Sequence, residues 1–349
     1  RGNHYGIFGA DGSSWNIGGN AIYTNESSKD YFSVALLPDQ SEQTLRMFAE
    51  YAHNHVVGSE AQYKIEDGHL VTDYRFEVET LGDTVKRGTL FATYPHQWKY
   101  LVTPLTDLAY QSVRGEMKVG KGASFRTRLP LQGVLPMLPV GENADRKRLI
   151  DYLKQESNRA KPKTADTYWE GKHLGKLASL AGIAEVLGEE SMENQFVDEM
   201  RVRLEDWFVA EPSEKEGLFF YDKNWGTLIG SPASYGSDAE LNDHHFHYGY
   251  FIRAAAEVAR RKPAWGMKWG KMVDLLVRDI ASGNAEDELF PRMRCFDVYA
   301  GHSWASGHAK FGDGNNQESS SEAINAWYGM MLWGQVSGNQ RLRDRGVYL

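Results

Sequence analysis

The chain is almost without cysteine. Cys295 stands alone among 349 residues, so no intrachain disulfide and no cysteine-based metal site can form. No apolar run approaches the ~20 residues of a membrane-spanning helix, which excludes a bilayer span in this sequence. Lysine and arginine form no block, and with a net charge of −8 and a pI near 5.8, nucleic acid and anionic membranes are poor partners. The opening Arg1-Gly2-Asn3-His4-Tyr5-Gly6 is not a signal peptide. With no initiating Met and strand-like sequence from the outset, a fragment cut at both ends is expected. Cysteine usage fits the cytosol weakly, and fits bacterial secreted enzymes as well.

Aromatics are plentiful: 12% of residues, with 10 Trp and 18 Tyr. Most fill cores by default, but Trp and Tyr faces also stack on the C–H faces of sugars, and a mildly acidic surface suits a neutral substrate. The length exceeds the ~150 residues of a single domain, so two domains are expected.

The hydrophobic period changes along the chain. Tyr74, Phe76 and Val78 alternate with Asp73, Arg75, Glu77 and Glu79, a half-buried strand. Tyr31–Leu37 and Thr89–Thr93 read likewise, separated by turns at Pro38-Asp39, Glu66-Asp67-Gly68 and Gly82-Asp83, with a short helix at Ser41–His53. Residues 1–140 are therefore expected to form an antiparallel β-sandwich. Pro130, Pro136 and Pro139 mark an extended connector, and 141–162 reads as a linking segment. Beyond it, Leu174, Leu177, Ala178, Ala181 and Ala184 share one helical face ending at Gly188. Further helices are expected at Phe196–Phe208, Tyr250–Arg261, Trp269–Ala281 and Ser321–Gly334, and from Gln340 onward. The fold class is thus β plus α, with an α/α toroid over 163–349.

Two runs carry chemistry. Asn242-Asp243-His244-His245-Phe246-His247-Tyr248-Gly249-Tyr250 sets a carboxylate among histidines and aromatics. Asp243 reads as a general acid whose pKa aromatic burial raises, or else as a helix N-cap with core histidines behind it. Gln317-Glu318-Ser319-Ser320-Ser321-Glu322-Ala323 sets two carboxylates at i and i+4 on one side of a helix start, with no lysine in the run. Either this is a solvated face, or two unpaired like charges raise each other's pKa for catalysis. An acid kept protonated beside an ionised carboxylate is what glycosidic hydrolysis requires. His244 and His247 stand at helical spacing but lack the His-Glu-x-x-His pattern, and Asp313-Gly314-Asn315 begins like a calcium loop without its later ligands. No metal or cofactor is expected. Candidate sugar contacts are Tyr168, Trp169 and Lys172, then Tyr221, Asp222 and Trp225, then His302 and Trp304, with His244, His247 and Tyr248 from the histidine run.

The sequence resembles glycoside hydrolase family 81, the endo-β-1,3-glucanases. The resemblance runs in order through Val34–Pro38, Tyr94–Trp98, Gly133–Pro136, Asp166–Lys172, Asn242–Tyr250, Gly301–Ala305 and Gln317–Ala323. It implies an N-terminal β-sandwich, a small linking domain and a C-terminal (α/α)6 barrel, incomplete here. It implies inverting hydrolysis of β-1,3-glucan such as laminarin, with Asp243 as general acid, Glu318 as general base and Glu322 supporting the base or the water. A secreted monomer acting on polysaccharide is expected. The rivals are a toroid-plus-sandwich polysaccharide lyase using histidine and tyrosine, against which the acidic balance counts, and a catalytically silent glucan-binding protein.

Overall fold

The computed structural model describes residues 2–18, 21–24, 31–82, 86–135, 137, 139–164, 166–312 and 314–349. Asp83 of the third expected turn, Pro136 and Leu138 of the connector, and Asp313 of the calcium-like run lie outside them. The chain divides into two compact units, Arg1–Gln132 and Gly133–Leu349.

The first unit holds β1 (His4–Gly9), β2 (Trp15–Gly18), β3 (Ala21–Thr24), β4 (Phe32–Leu37), α1 (Glu42–Ala49), β5 (Asn54–Glu66), β6 (His69–Thr80), β7 (Thr89–Thr93), α2 (Pro95–Trp98), β8 (Leu105–Ser112), β9 (Gly115–Gly122) and β10 (Ser124–Pro130). All its strand pairings are antiparallel, with two three-stranded sheets ordered β10-β6-β5 and β7-β9-β8. The β5–β6 hairpin turns on Asp67 and Gly68 at φ 47° and 70°, the doubly positive pair that an Asp-Gly hairpin turn demands. Alternation along β6 puts Tyr74 and Phe76 on the buried side. Phe125 of β10 stacks on Tyr74 at 4.4 Å and on Phe91 of β7 at 4.9 Å, so one aromatic cluster serves both sheets. Gly120 leaves room for it, because a Cβ there would lie 2.3 Å from the Phe91 ring. Ser41 caps α1 by accepting from the Thr44 amide.

The second unit holds α3 (Arg146–Ser157), α4 (Thr167–Leu187), α5 (Glu190–Trp207), the hairpin β11 (Leu218–Asp222) and β12 (Thr227–Ser231), α6 (His244–Arg261), α7 (Pro263–Ala281), the short β13 (Phe296–Asp297) and β14 (His302–Ser303), α8 (Ser320–Val336) and α9 (Gln340–Tyr348). Residues 141–162 are not a plain linker. They contain α3, capped by Asp145 and seated on α4 and α5 through buried Leu153. Asp166 opens α4 by accepting from the Tyr168 and Trp169 amides, and Gly188 ends it in the left-handed conformation at φ 77°.

Helix α6 is buried almost throughout and packs against α4, α5, α7 and α8. Small residues let α8 approach it closely: a Cβ on Gly249 would lie 2.5 Å from the Ala326 Cβ. That crossing brings Glu322 in the first turn of α8 against Tyr250 of α6 and Lys172 of α4.

Candidate active site

Asp243 occupies the N-cap position of α6 without capping it. Its backbone sits in the left-handed region at φ 61°, and its N–H donates to the Ala305 carbonyl at 2.9 Å. The side chain turns into the protein. Oδ2 accepts from Asn242 Nδ2 at 2.8 Å, while Oδ1 is buried with no partner. With only 6% of the residue exposed, burial pushes the carboxyl up to about 7, and the charges of Glu318 and Glu322 push the same way. An acid of that strength is protonated in about half of molecules at neutral pH.

The Glu318 backbone is also left-handed, at φ 54°, and its side chain is exposed. It precedes the Ser319 N-cap of α8, so it does not share a helical face with Glu322 as the i, i+4 spacing predicts. The loop leading to it is tied to the acid through one residue, since the Ala305 amide donates to the Asn316 carbonyl at 2.8 Å. Ala305 therefore links both carboxylate-bearing segments by its own backbone. Among the described residues, five non-glycines have positive φ, and Tyr235, Leu241, Asp243 and Glu318 all lie in these two loops. Such strain of about 1–3 kcal/mol per residue concentrates at functional sites.

Glu322 stands in the first turn of α8. Tyr250 Oη donates to its Oε1 at 2.8 Å and Lys172 Nζ at 3.2 Å. Burial alone would raise its pKa, but the hydrogen bonds from Tyr250 and Lys172 outweigh burial and hold it below the usual range. This corrects the expectation of two unpaired carboxylates: the partner comes from α4, not from the local sequence. Burial opposes the Lys172 charge, yet bonds to Tyr250 and Glu322 leave its pKa raised. The ammonium also lies over the Tyr168 and Tyr250 rings, 5.7 and 5.3 Å from their centroids. Burial pushes the Tyr250 hydroxyl up to about 12, so it remains a donor.

The histidine run divides. His244 is buried, its Nδ1 at 2.8 Å from Asp279 Oδ2 and its Nε2 at 2.7 Å from the Ser237 carbonyl, so neither nitrogen is free for sugar or metal. Tyr248 is equally buried and donates to the Leu228 carbonyl at 2.9 Å. Both were expected to contact substrate; both belong to the core. His247 is buried behind Tyr168, with Thr167 Oγ1 at 2.9 Å from its Nδ1, and burial lowers its pKa to about 4. It is a neutral ring packed against Tyr168.

The model of the glycosyl hydrolase family 81 C-terminal domain matches residues 142–349. The chain belongs to glycosyl hydrolase family 81. It is 48% identical over its whole length to a glucan endo-1,3-beta-D-glucosidase of Acetivibrio thermocellus, and 43% identical to one of Thermobifida fusca, covering 46% of each. A solved glycoside hydrolase family 81 structure from Clostridium thermocellum, a mutant, is similar at TM-score 0.91 and 47% identity over 99% of this chain and 49% of that one. The chain thus spans about half the length of the relatives it matches.

Two of the expected contacts of this family 81 chain are exposed rings. Trp169 and Trp225 are 53% and 64% exposed. Asp222 accepts from the Asn224 and Trp225 amides, building the turn that presents Trp225, and Tyr221 Oη donates to the Leu289 carbonyl at 2.7 Å. A cavity of about 770 Å³, lined by Trp225, Leu241, Phe290, Arg294, Cys295 and His308, runs beside the Asp243 loop. His302 bonds the Ser303 carbonyl and packs edge-on against Trp304, whose indole donates to Asp297 at 3.4 Å. Sequence reading missed Tyr250 as a site residue. Its position three after His247 puts both on one face of α6, which is the signal that could have found it.

Proposed function

We propose that this chain hydrolyses β-1,3-glucosidic bonds of laminarin-type glucan with inversion. The observation that carries the reading is Asp243, a buried carboxyl with a pKa raised to about 7 and one oxygen unpartnered, beside the anion Glu322. Asp243 protonates the glycosidic oxygen as the C1–O bond breaks and positive charge develops on the sugar ring. Glu318, exposed to solvent, takes a proton from the water that attacks C1 from the opposite face. The cycle leaves Asp243 ionised and Glu318 protonated, and solvent exchange resets both. Inversion needs the two carboxyls about 6.5–9.5 Å apart to admit that water. Glu322 is neither acid nor base in this scheme. Held as an anion by Lys172 and Tyr250, it keeps Asp243 protonated and steadies the oxocarbenium charge. The burial of His244 and Tyr248 counts against a lyase that would use them as bases.

In the same reading, residues 1–140 form a β-sandwich and 163–349 contribute to an (α/α)6 barrel, with the exposed faces of Trp169 and Trp225 as sugar platforms. The protein works as an extracellular monomer without a cofactor. The test is release of reducing ends from laminarin against a β-1,4-glucan by the wild type, Asp243→Asn and Glu318→Gln, with the anomeric form of the first product read by NMR. Release from laminarin alone as the α-anomer, lost in both variants, is the expected result. A β-anomer would overturn inversion, and a fully active Glu318→Gln would overturn the base.

A further inference from the structure

Close to Asp243 in the chain lies a largely buried charge network that the reaction itself does not use. Asp279 of α7 is 0% exposed and accepts four different groups: Thr227 Oγ1 at 2.8 Å, the Leu228 amide at 2.9 Å, His244 Nδ1 at 2.8 Å and Arg294 Nη2 at 2.8 Å. Arg294 also donates to the Asp279 and Gly226 carbonyls. The other nitrogen of His244 faces the Ser237 carbonyl at 2.7 Å. A carbonyl and an ionised carboxylate can only accept, so both ring nitrogens must carry hydrogen, and His244 is an imidazolium sealed in the protein.

The network touches the segments on either side of the acid in the chain and the β12 strand. His244 follows Asp243 directly, and Ser237 lies in the loop that leads to it. Thr227 and Leu228 belong to the hairpin strand β12. Arg294 precedes Cys295, whose burial-raised pKa also feels the Asp243 charge. The titratable groups facing Asp243 itself are Glu318, Glu322 and Cys295; those facing Asp279 are His244, Arg294, Tyr248 and Cys295, with Thr227 and the Leu228 amide as its neutral donors. Burial would raise the Asp279 pKa, but His244 and Arg294 hold it low, so the anion persists.

We infer that Asp279 is a positioning residue for the acid: through the His244 imidazolium it fixes the left-handed turn that aims the Asp243 carboxyl into its dry pocket. The inference rests on the reading of Asp243 as the general acid. Replacing Asp279 by Asn keeps the shape but lets an amide N–H meet His244 Nδ1, which then must accept. The ring becomes neutral, the turn loosens and water reaches Asp243.

The test uses purified protein labelled with ¹⁵N-histidine, with His244→Gln assigning the signal. In the wild type the His244 ring carries two N–H groups, and in Asp279→Asn it carries one. On laminarin, Asp279→Asn loses about 10–100-fold in kcat with KM within about twofold, as a sub-ångström misplacement does. The alkaline limb of kcat/KM moves to lower pH because Asp243 regains solvent. A folded Asp279→Asn with unchanged kcat and an unmoved alkaline limb overturns the inference. Should that variant fail to fold, the near-isosteric Thr227→Val, which removes one of the bonds to Asp279, decides it: a smaller shift in the same direction supports, an unmoved limb overturns. A wild type inactive on laminarin but with a charged His244 ring sinks the glucanase reading and leaves the coupling standing. A neutral His244 ring in the wild type overturns the coupling itself.

Discussion

The hydroxyl of Tyr250 and the carboxylate of Glu322 meet at 2.8 Å, although they lie on different helices and 72 positions apart. The contact exists because Gly249 and Ala326 let α6 and α8 cross closely, and because Gly175 of α4 leaves space for the tyrosine ring, where a Cβ would lie 2.5 Å from Tyr250 Cδ1. Lys172 completes the arrangement from α4. A carboxylate that looks unpartnered along the chain is thus held ionised by groups from two other helices.

Tyr250→Phe removes one donor to Glu322 without changing the ring. Its pKa should rise, and its ability to keep Asp243 protonated should weaken. We expect a loss of about 10- to 100-fold in kcat, in line with one hydrogen bond to a charged group at about 1.5–3 kcal/mol. Lys172→Met should cost more, because it removes the counter-charge as well. Steady-state kinetics on laminarin measure both. An unchanged kcat in Tyr250→Phe would show that the bond does not serve the reaction.

Asp243 sets a pH dependence whose sign is fixed. An acid works while protonated, so activity should fall as pH rises through about 7, the pKa to which burial and the two glutamates raise it. Stability follows the same group. The carboxyl is raised from 3.8, so its contribution is intact below about 4 and is lost as pH climbs towards about 7. Asp243→Asn should abolish turnover and yet be more stable than the wild type at pH 8, by about 4 kcal/mol, with the advantage shrinking towards pH 4. Paired thermal melts at the two pH values check this; equal differences at both would remove burial as the cause.

Trp225 projects from a turn with 64% of its surface exposed and lines the cavity beside the loop that leads to Asp243. Its removal touches no core. Trp225→Ala should leave the melting temperature unchanged and raise KM about 5–30-fold, the equivalent of roughly 1–2 kcal/mol of apolar contact, with kcat nearly constant. A large fall in kcat with constant KM would mean that the ring acts at the transition state instead.

What the sequence determined alone is the local material. Period-two alternation in β6, the Asp67-Gly68 turn, the Ser41 cap, and the helical stripe of Leu174, Leu177, Ala178, Ala181 and Ala184 ending at Gly188 are each encoded within a few residues. Local propensity and burial pattern therefore announce them. The family runs also brought Asp243, Glu318 and Glu322 forward as a set. Tertiary structure decided which polar groups are free. His244 and Tyr248 read as binding residues because histidine and tyrosine next to a carboxylate look functional, but Asp279, Ser237 and Leu228 consume their hydrogen bonds from elsewhere in the chain. Glu318 and Glu322 stand at helical spacing, yet the Ser319 cap starts the helix between them and sends one to solvent and the other to Lys172. Charge state depends on what approaches from other elements within a few ångströms, and burial on the whole fold. Neither has a period that can be read along a chain.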